Sequence, residues 1–484
     1  MGNGKHLIEQ LSVPLSPCPL VPSSPLISPP LNISHSRTIR NMSTPIVALQ
    51  KPKDISLGEI EAELSNIWLS QNAGKGKTSA IATRAATFSM VVYEPEEFQQ
   101  LLGSLGFYNG AIDGIHGPET RNAIREAQKA YDLRITGRVD TDTLEKLREE
   151  FAKQPEERQE ISNLNARGFG ISDAIADRNP CRIITLCPTL GEDTGVTAQV
   201  SAYCPIQKGE TSNLVCCEYI TRRGTKEALA RVSDVVTSLM IPDLPKFVWW
   251  KATPNPEQEL FQTLSECSNC LIVDSCYFSD PESELLKMQH LIEEETYIAD
   301  LNWHRLLPWQ ELTASAFDPP QRRAALVEID EIALDYEKGN AAQALMFLGW
   351  FASRLGWEPV KIVQEGGDYE LMHVHFKGEG DREIQAELAA IPTADSGEIP
   401  GDLIGVRLNS TNENADCCTI LCSETTGCMR MEAGGSAQSC STEQVSASTD
   451  QKAELLMAQQ LQRWGRDVLY EESLAVTAQI LDLR

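Results

Sequence analysis

The chain has 484 residues, enough for two or three domains, and its 42% hydrophobic and 23% charged content is ordinary for a soluble globular protein. A net charge of −27 repels phosphate, which excludes nucleic acid and anionic membrane surfaces as partners. No apolar run reaches the length of about 18 residues that a membrane-spanning helix needs.

Residues 1–50 are expected to form a disordered, Pro/Ser-rich tail. The apolar stretch "VPLSPCPLVPSSPLISPPL" (Val13–Leu31) sits where a signal peptide would, but prolines interrupt every helical turn and no small-x-small cleavage site follows. Met42 opens a segment that reads as a natural start, so residues 1–41 are expected to lie outside the translated protein. Without an export signal the location is expected to be cytoplasmic. There the fourteen cysteines are buried thiols, metal ligands or redox switches rather than structural disulfides.

An α/β domain is expected over 51–93 plus 158–320. "SLGEIEAELSNIWLSQ" is an amphipathic helix capped by Ser56. The Gly76-Lys77-Thr78 that follows imitates a phosphate loop, but Gln71 stands where its first glycine belongs and the segment follows a helix, not a strand. Phe88–Tyr93 is a strand. Residues 94–151 then read as an inserted helical module: helices near Glu96–Leu105 and Pro118–Tyr131, a glycine-rich turn between them, and a third helix capped by Asp140 or Thr141. The stretch Leu105–Asp140 resembles a peptidoglycan-binding repeat, with Leu105, Ile112, Ile124, Leu133 and Val139 placed for its core. It departs from the repeat at Ala127 and His116, where aromatics are usual.

Beyond a charged linker, Ala152–Glu160, strands alternate with helices. "GISDAIADR" is a helix, and "CRIITLCPTL", "GVTAQVSAYCPI" and "NLVCCEYITRR" are strands. A long helix over Thr225–Ile241, the strand "FVWWKA", a helix, the strand "CLIVDSCYF" and another helix follow. That alternation predicts a mostly parallel sheet covered on both faces. Residues 321–484 are expected to form an α+β domain with Cys-rich hairpins. "AALVEIDEIALDY" reads as a strand, Asn340–Trp357 as a strongly apolar helix, and six short strands form an antiparallel sheet carrying that helix. A last amphipathic helix is expected over Gln451–Leu469.

Several patterns bear on chemistry. "SETTGCMR" (Ser423–Arg430) resembles the nucleophile segment of L,D-transpeptidases, which with the helical module raises a cell-wall alternative. A cysteine nucleophile needs a nearby histidine, and none lies between His375 and Cys428. Cys267-x-x-Cys270 is half of a zinc pattern without a second half, so no metal is expected. No paired carboxylates, nucleotide loop or triad emerges, so no catalytic residue and no cofactor is expected. Cys422 and Cys428 bracket "SETTG", whose bend would bring their α-carbons within the ~7 Å a disulfide demands. They are either a reversible switch, formed under oxidation and reopened by thioredoxin, or two thiols in a mobile loop; Cys267 and Cys270 are the second choice. Phe247, Trp249, Trp250, Trp303 and Trp309 concentrate in two segments, as core or as anchors of a partner interface.

Those segments carry a resemblance. "FVWWKATP", "DLNWHRLLPWQELTASAFD", "NPCRIITLCP" and "TRAATFSMVVYE" together resemble the glucose-6-phosphate dehydrogenase assembly family, OpcA, from Leu57 to Arg484, in the cyanobacterial form that carries an inserted module. The resemblance implies a non-enzymatic protein that binds glucose-6-phosphate dehydrogenase, promotes its active oligomer and raises its response to substrate. It also implies redox control through thioredoxin in the oxidative pentose phosphate pathway, with the oxidised form activating. The Cys422/Cys428 pair fits that control. A third class, a sugar-phosphate-binding α/β protein with a ligand of its own, stays open.

Overall fold

A computed structural model describes residues 46–484 apart from 74–80, 85, 96, 109–117, 136, 138–140, 155–180, 190–191, 206–212, 279, 368, 393–398, 400, 413–417, 424–427, 434–440, 448–452 and 464. The expected helix "GISDAIADR", the Gly76-Lys77-Thr78 segment, Ile112 and Val139 lie outside these residues. In chain order the first half runs β1 (Ile46–Ile55), α1 (Ile60–Ala73), β2 (Ile81–Arg84), β3 (Phe88–Tyr93), α2 (Glu97–Ser104), α3 (Pro118–Ala130), α4 (Thr141–Ala152), β4 (Cys181–Pro188), β5 (Thr197–Pro205) and β6 (Asn213–Gly224). It continues with α5 (Lys226–Ala230), α6 (Ser233–Leu239), β7 (Lys246–Trp250), α7 (Glu259–Cys267), β8 (Cys270–Val273), α8 (Pro281–Glu293) and β9 (Ile298–Asp300).

These strands form one sheet in the order β1-β5-β6-β4-β3-β7-β8-β9, with β2 paired to β6. From β6 to β9 every pair is parallel; β5 joins β6, and β1 joins β5, antiparallel. The parallel strands are apolar runs such as "FSMVVY", buried at all six positions, because helices cover both faces. β1 begins inside the segment expected to be a tail. The helix expected over Thr225–Ile241 is two, α5 capped by the Thr225 hydroxyl and α6, with Arg231–Val232 between them.

Helices α2–α4 occupy the connection between β3 and β4, which pair directly from Phe88↔Cys181. The module is thus lodged inside a parallel crossover. It has its own core of Phe98, Leu101, Leu102, Ile124 and Leu147, with Leu105 and Leu133 partly exposed at its margin. Buried Ala127 takes the place of an aromatic, and Gln128 beside it donates to the Thr143 hydroxyl at 3.0 Å and accepts from the Gly137 amide at 3.0 Å.

The second half comprises α9 (Leu301–Arg305), α10 (Leu307–Ala316), α11 (Pro320–Leu326), β10 (Glu331–Glu337), α12 (Ala342–Leu355), β11 (Glu358–Glu365), β12 (Leu371–Lys377), β13 (Glu383–Ile391), β14 (Leu403–Asn409), β15 (Cys418–Ser423), β16 (Cys428–Ala433), β17 (Ser441–Ala447), α13 (Ala453–Gln460) and α14 (Val468–Leu481). Its sheet has the order β11-β12-β13-β10-β14-β15-β16-β17.

Three sequence expectations are corrected here. The sheet is mixed, not antiparallel, because β10 pairs parallel with β13; α12 runs back between them as the crossover a parallel pair requires. "AALVEIDEIALDY" is the end of α11 followed by β10, since Pro320 at the first helical turn starts a helix. The single helix expected over Gln451–Leu469 is two, α13 ending at Gln460 and α14 starting at Val468, with the N-terminus of α14 capped by Asp467 accepting from the Tyr470 amide.

One apolar cluster runs continuously from the first sheet through α9 and α10 to the second sheet and α12. Within it α12 and α14 touch at Gly349, where a Cβ would collide with the Thr477 hydroxyl and the Ser473 carbonyl. Ser473 and Thr477 in turn donate to the Met346 and Leu345 carbonyls at 2.6 and 3.1 Å. Gly349→Ala is expected to cost about 1–3 kcal/mol, read as a lower urea midpoint at unchanged slope. An unchanged midpoint would contradict this close approach.

Candidate functional site

The five aromatics that read either as core or as anchors of a partner interface are all interior. Phe247, Trp249 and Trp250 on β7, Trp303 on α9 and Trp309 on α10 are no more than 5% exposed. Trp250 stacks on Tyr93 at 3.8 Å between centroids and meets Phe261 edge-on, and Phe247 meets Phe88 edge-on. Trp303 sits beside Tyr470 and donates from its indole nitrogen to Asp467 at 3.1 Å. Large rings on a central strand cover apolar area on both sheet faces, so burial, not contact with a partner, places them.

What those segments build is a polar seam between the two halves. β8 and β9 each end in an aspartate side, Asp274 just after Val273 and Asp300 at the last strand position. Asp274 accepts a two-pronged pair from Arg305, 2.6 and 2.9 Å, with both side chains buried. Asp300 Oδ1 accepts from the Ser275 and Asn302 amides at 3.0 and 2.9 Å and caps α9. Asn302 donates to the Ser275 hydroxyl. From the second half, Asn340 donates to the Ser275 and Cys276 carbonyls at 2.9 and 2.8 Å. Gln343 donates to Asn302 and Asp402 at 2.9 and 2.6 Å.

The carboxyl ends of parallel strands are where sheets of this kind usually hold ligands. Here they are filled by the chain's own groups. Asp300 is the exception: its Oδ2 and the neighbouring Tyr470 hydroxyl are buried without hydrogen-bond partners. Burial first, and then the Asp274 charge, push the Asp300 carboxyl up to about 6. Sequence reasoning passed over this network, although the endings "LIVD" and "IAD" of two successive strands were its visible sign.

The thiols fall into three places. Cys422 and Cys428 lie on paired antiparallel strands, as the bend between them suggested, but one residue out of register: Cys422 is opposite Met429 and Cys428 opposite Ser423. The intervening turn lies outside the described residues. Cys181 and Cys217, neighbours across β4 and β6, are buried with their sulfurs 3.6 Å apart, and the bond to Cys217, with burial, pushes the Cys181 thiol up. Nothing in the sequence marks Cys181 as a neighbour of Cys217, 36 positions away.

Cys267 and Cys270 line a cavity of about 500 Å³ together with Lys246, Asn269, Tyr297 and Arg463. Burial raises the Cys267 thiol and pushes that of Cys270 up to about 12, so neither is an activated thiolate near neutrality. Among the described residues no three His, Cys, Asp or Glu side chains stand together to hold a metal, and no helix is long and apolar enough to cross a membrane.

With this geometry in place the comparisons are specific. Residues 172–290 match the "Glucose-6-phosphate dehydrogenase subunit N-terminal domain" family, 296–474 the corresponding C-terminal domain family, and 93–147 a peptidoglycan binding domain family. The chain is 56% identical over 443 residues to the OxPP cycle protein OpcA of Synechococcus elongatus, covering 91% of this chain and 99% of that one. It is also 56% identical over 444 residues to OpcA of Nostoc punctiforme, covering 90% and 96%. Among solved structures, UDP-N-acetylglucosamine 3-dehydrogenase GnnA of Acidithiobacillus ferrooxidans aligns over 53% of this chain and 85% of its own at 11% identity and a TM-score of 0.32, too slight a likeness to carry an argument.

Proposed function

This chain belongs to the OpcA family of glucose-6-phosphate dehydrogenase assembly proteins, and from that premise we propose that it is a non-catalytic activator of that dehydrogenase, acting in the oxidative pentose phosphate cycle under redox control. The observation that carries it is the match of both family domains, 172–290 and 296–474, which together hold β4 to β17 and the residues of the seam. An activator shifts its partner only by binding the active state better than the inactive one, and couplings of this kind are about 1–3 kcal/mol. The inserted module, lodged in a crossover and held by its own core, serves protein contact.

The proposed switch is Cys422/Cys428. Oxidation joins the two sulfurs while two electrons and two protons pass to a disulfide oxidant, and the dithiol of thioredoxin reverses the exchange. Because the two positions are one residue out of register in β15–β16, closing the bond draws the hairpin toward a one-residue slip. Such a slip exchanges the faces that a strand presents. The hairpin leans on α10, which follows α9 and its Arg305 directly, so the change reaches the seam. The oxidised form is the activating one.

Replacing both cysteines by serine is expected to abolish the difference between oxidised and reduced protein in an assay of dehydrogenase rate against substrate concentration. A double variant that still responds to reductant overturns the assignment of the switch. If that happens, the Cys267→Ser/Cys270→Ser variant is the next to lose its response.

A further inference from the structure

We propose that the cavity at the amino-terminal ends of β7, β8 and β9 binds a small phosphate monoester with a hydroxylated body, a sugar phosphate. Its volume of about 500 Å³ lies within the range of small-molecule sites. Two cations, Lys246 and Arg463, line it, and among the described residues neither is held in an ion pair. That is notable in a chain of net charge −27, where carboxylates are plentiful.

Arg463 is fixed from behind by the ring of buried His304, 3.3 Å from one of its terminal nitrogens. Burial lowers the His304 pKa, so the imidazole stays neutral and leaves the guanidinium as the charge at the wall. Its remaining donors suit the flat, multi-toothed contact that phosphate oxygens accept, with the Lys246 ammonium as a point charge opposite. Asn269 uses its carbonyl oxygen to accept from the Lys246 amide at 2.8 Å, which leaves its NH2 group as a donor for a ligand. Asp243, also in the lining and held at φ 63°, offers a carboxylate that accepts from hydroxyls. Cations for the phosphate and one acceptor for the body make a phosphorylated polyol the matching chemistry. This site stands on the cavity alone, whether or not the chain acts on a dehydrogenase.

Cys267, half-buried in the same wall, supplies a reporter. Its alkylation by N-ethylmaleimide is followed in the full-length protein by mass spectrometry, with Cys187, half-buried elsewhere, as the internal reference. Glucose 6-phosphate is expected to slow labelling of Cys267 by a factor growing as 1 + [ligand]/Kd, about tenfold at ten times Kd, and to leave Cys187 unaffected. Lys246→Gln or Arg463→Gln, both at the cavity wall, should remove the protection while the melting temperature without ligand stays put. Glucose is expected to protect nothing, and inorganic phosphate to protect more weakly than the ester. Absence of protection by glucose 6-phosphate, equal protection by glucose, or undiminished protection in both variants would overturn the site. Equal protection by inorganic phosphate would overturn the role given to the hydroxylated body.

Discussion

Asp274→Ala is expected to lower the stability of the protein by about 3–5 kcal/mol, because it leaves the Arg305 guanidinium buried at the seam without its carboxylate. Both groups are nearly inaccessible, and the Asn302 side-chain oxygen, which accepts from Arg305 at 3.3 Å, carries no charge to replace the carboxylate. The loss therefore includes the desolvation of an uncompensated charge. Asp274→Asn, which keeps an acceptor of the same shape, should lose less. Urea unfolding measures both; a shift under about 1 kcal/mol for the alanine variant would mean that water reaches Arg305 and the seam is not closed.

Asp300→Asn is expected to act in the opposite direction, and only above a definite pH. Burial and the neighbouring Asp274 raise the folded-state value from 3.8 to about 6, so the native protein holds this proton more tightly than the unfolded chain does. The ionised carboxylate consequently costs nothing below about pH 4, and its cost builds as pH rises until it is complete above the folded value. Asparagine keeps the oxygen that accepts from the Ser275 and Asn302 amides, and places an uncharged NH2 group where the unpartnered Oδ2 stands. The two proteins should have equal stability near pH 4, and the variant should be more stable by up to about 3 kcal/mol at pH 8. A gain independent of pH, or a loss at pH 8, would contradict the account. Asp467 and Glu471, near Tyr470 as well, are unchanged between the two proteins and cancel in the comparison.

The parallel strands were legible because burial on both faces writes itself as an unbroken apolar run, as in "FSMVVY" and "CRIITLCP". The inserted module was legible because its glycine turns and helix periods are local. The β10–β13 pairing was not, since nothing in "EIALDYE" names a strand about fifty residues away as its neighbour. Helix breaks at Arg231–Val232 and at Gly465 were lost for a related reason: both flanks are good helix formers, and packing decides where the axis turns. Phe247, Trp249, Trp250, Trp303 and Trp309 stood out as a group, but the same residue types anchor interfaces and fill cores, and only burial separates the two. The seam was hardest to see. Apart from local contacts around α9, its bonds join residues 25 to 65 positions apart, such as Ser275 with Asp300 and Ser275 with Asn340, and polar residues at that separation carry no periodic signal.

The central claim, that this chain drives glucose-6-phosphate dehydrogenase toward its active oligomer when oxidised, is tested most directly by sedimentation velocity of the dehydrogenase mixed with it, with and without dithiol reductant. The account predicts a shared, faster boundary and a larger dehydrogenase oligomer in the oxidised mixture, with the shift diminished on reduction. Two independent boundaries, unchanged from those of the separate proteins under both conditions, would contradict it.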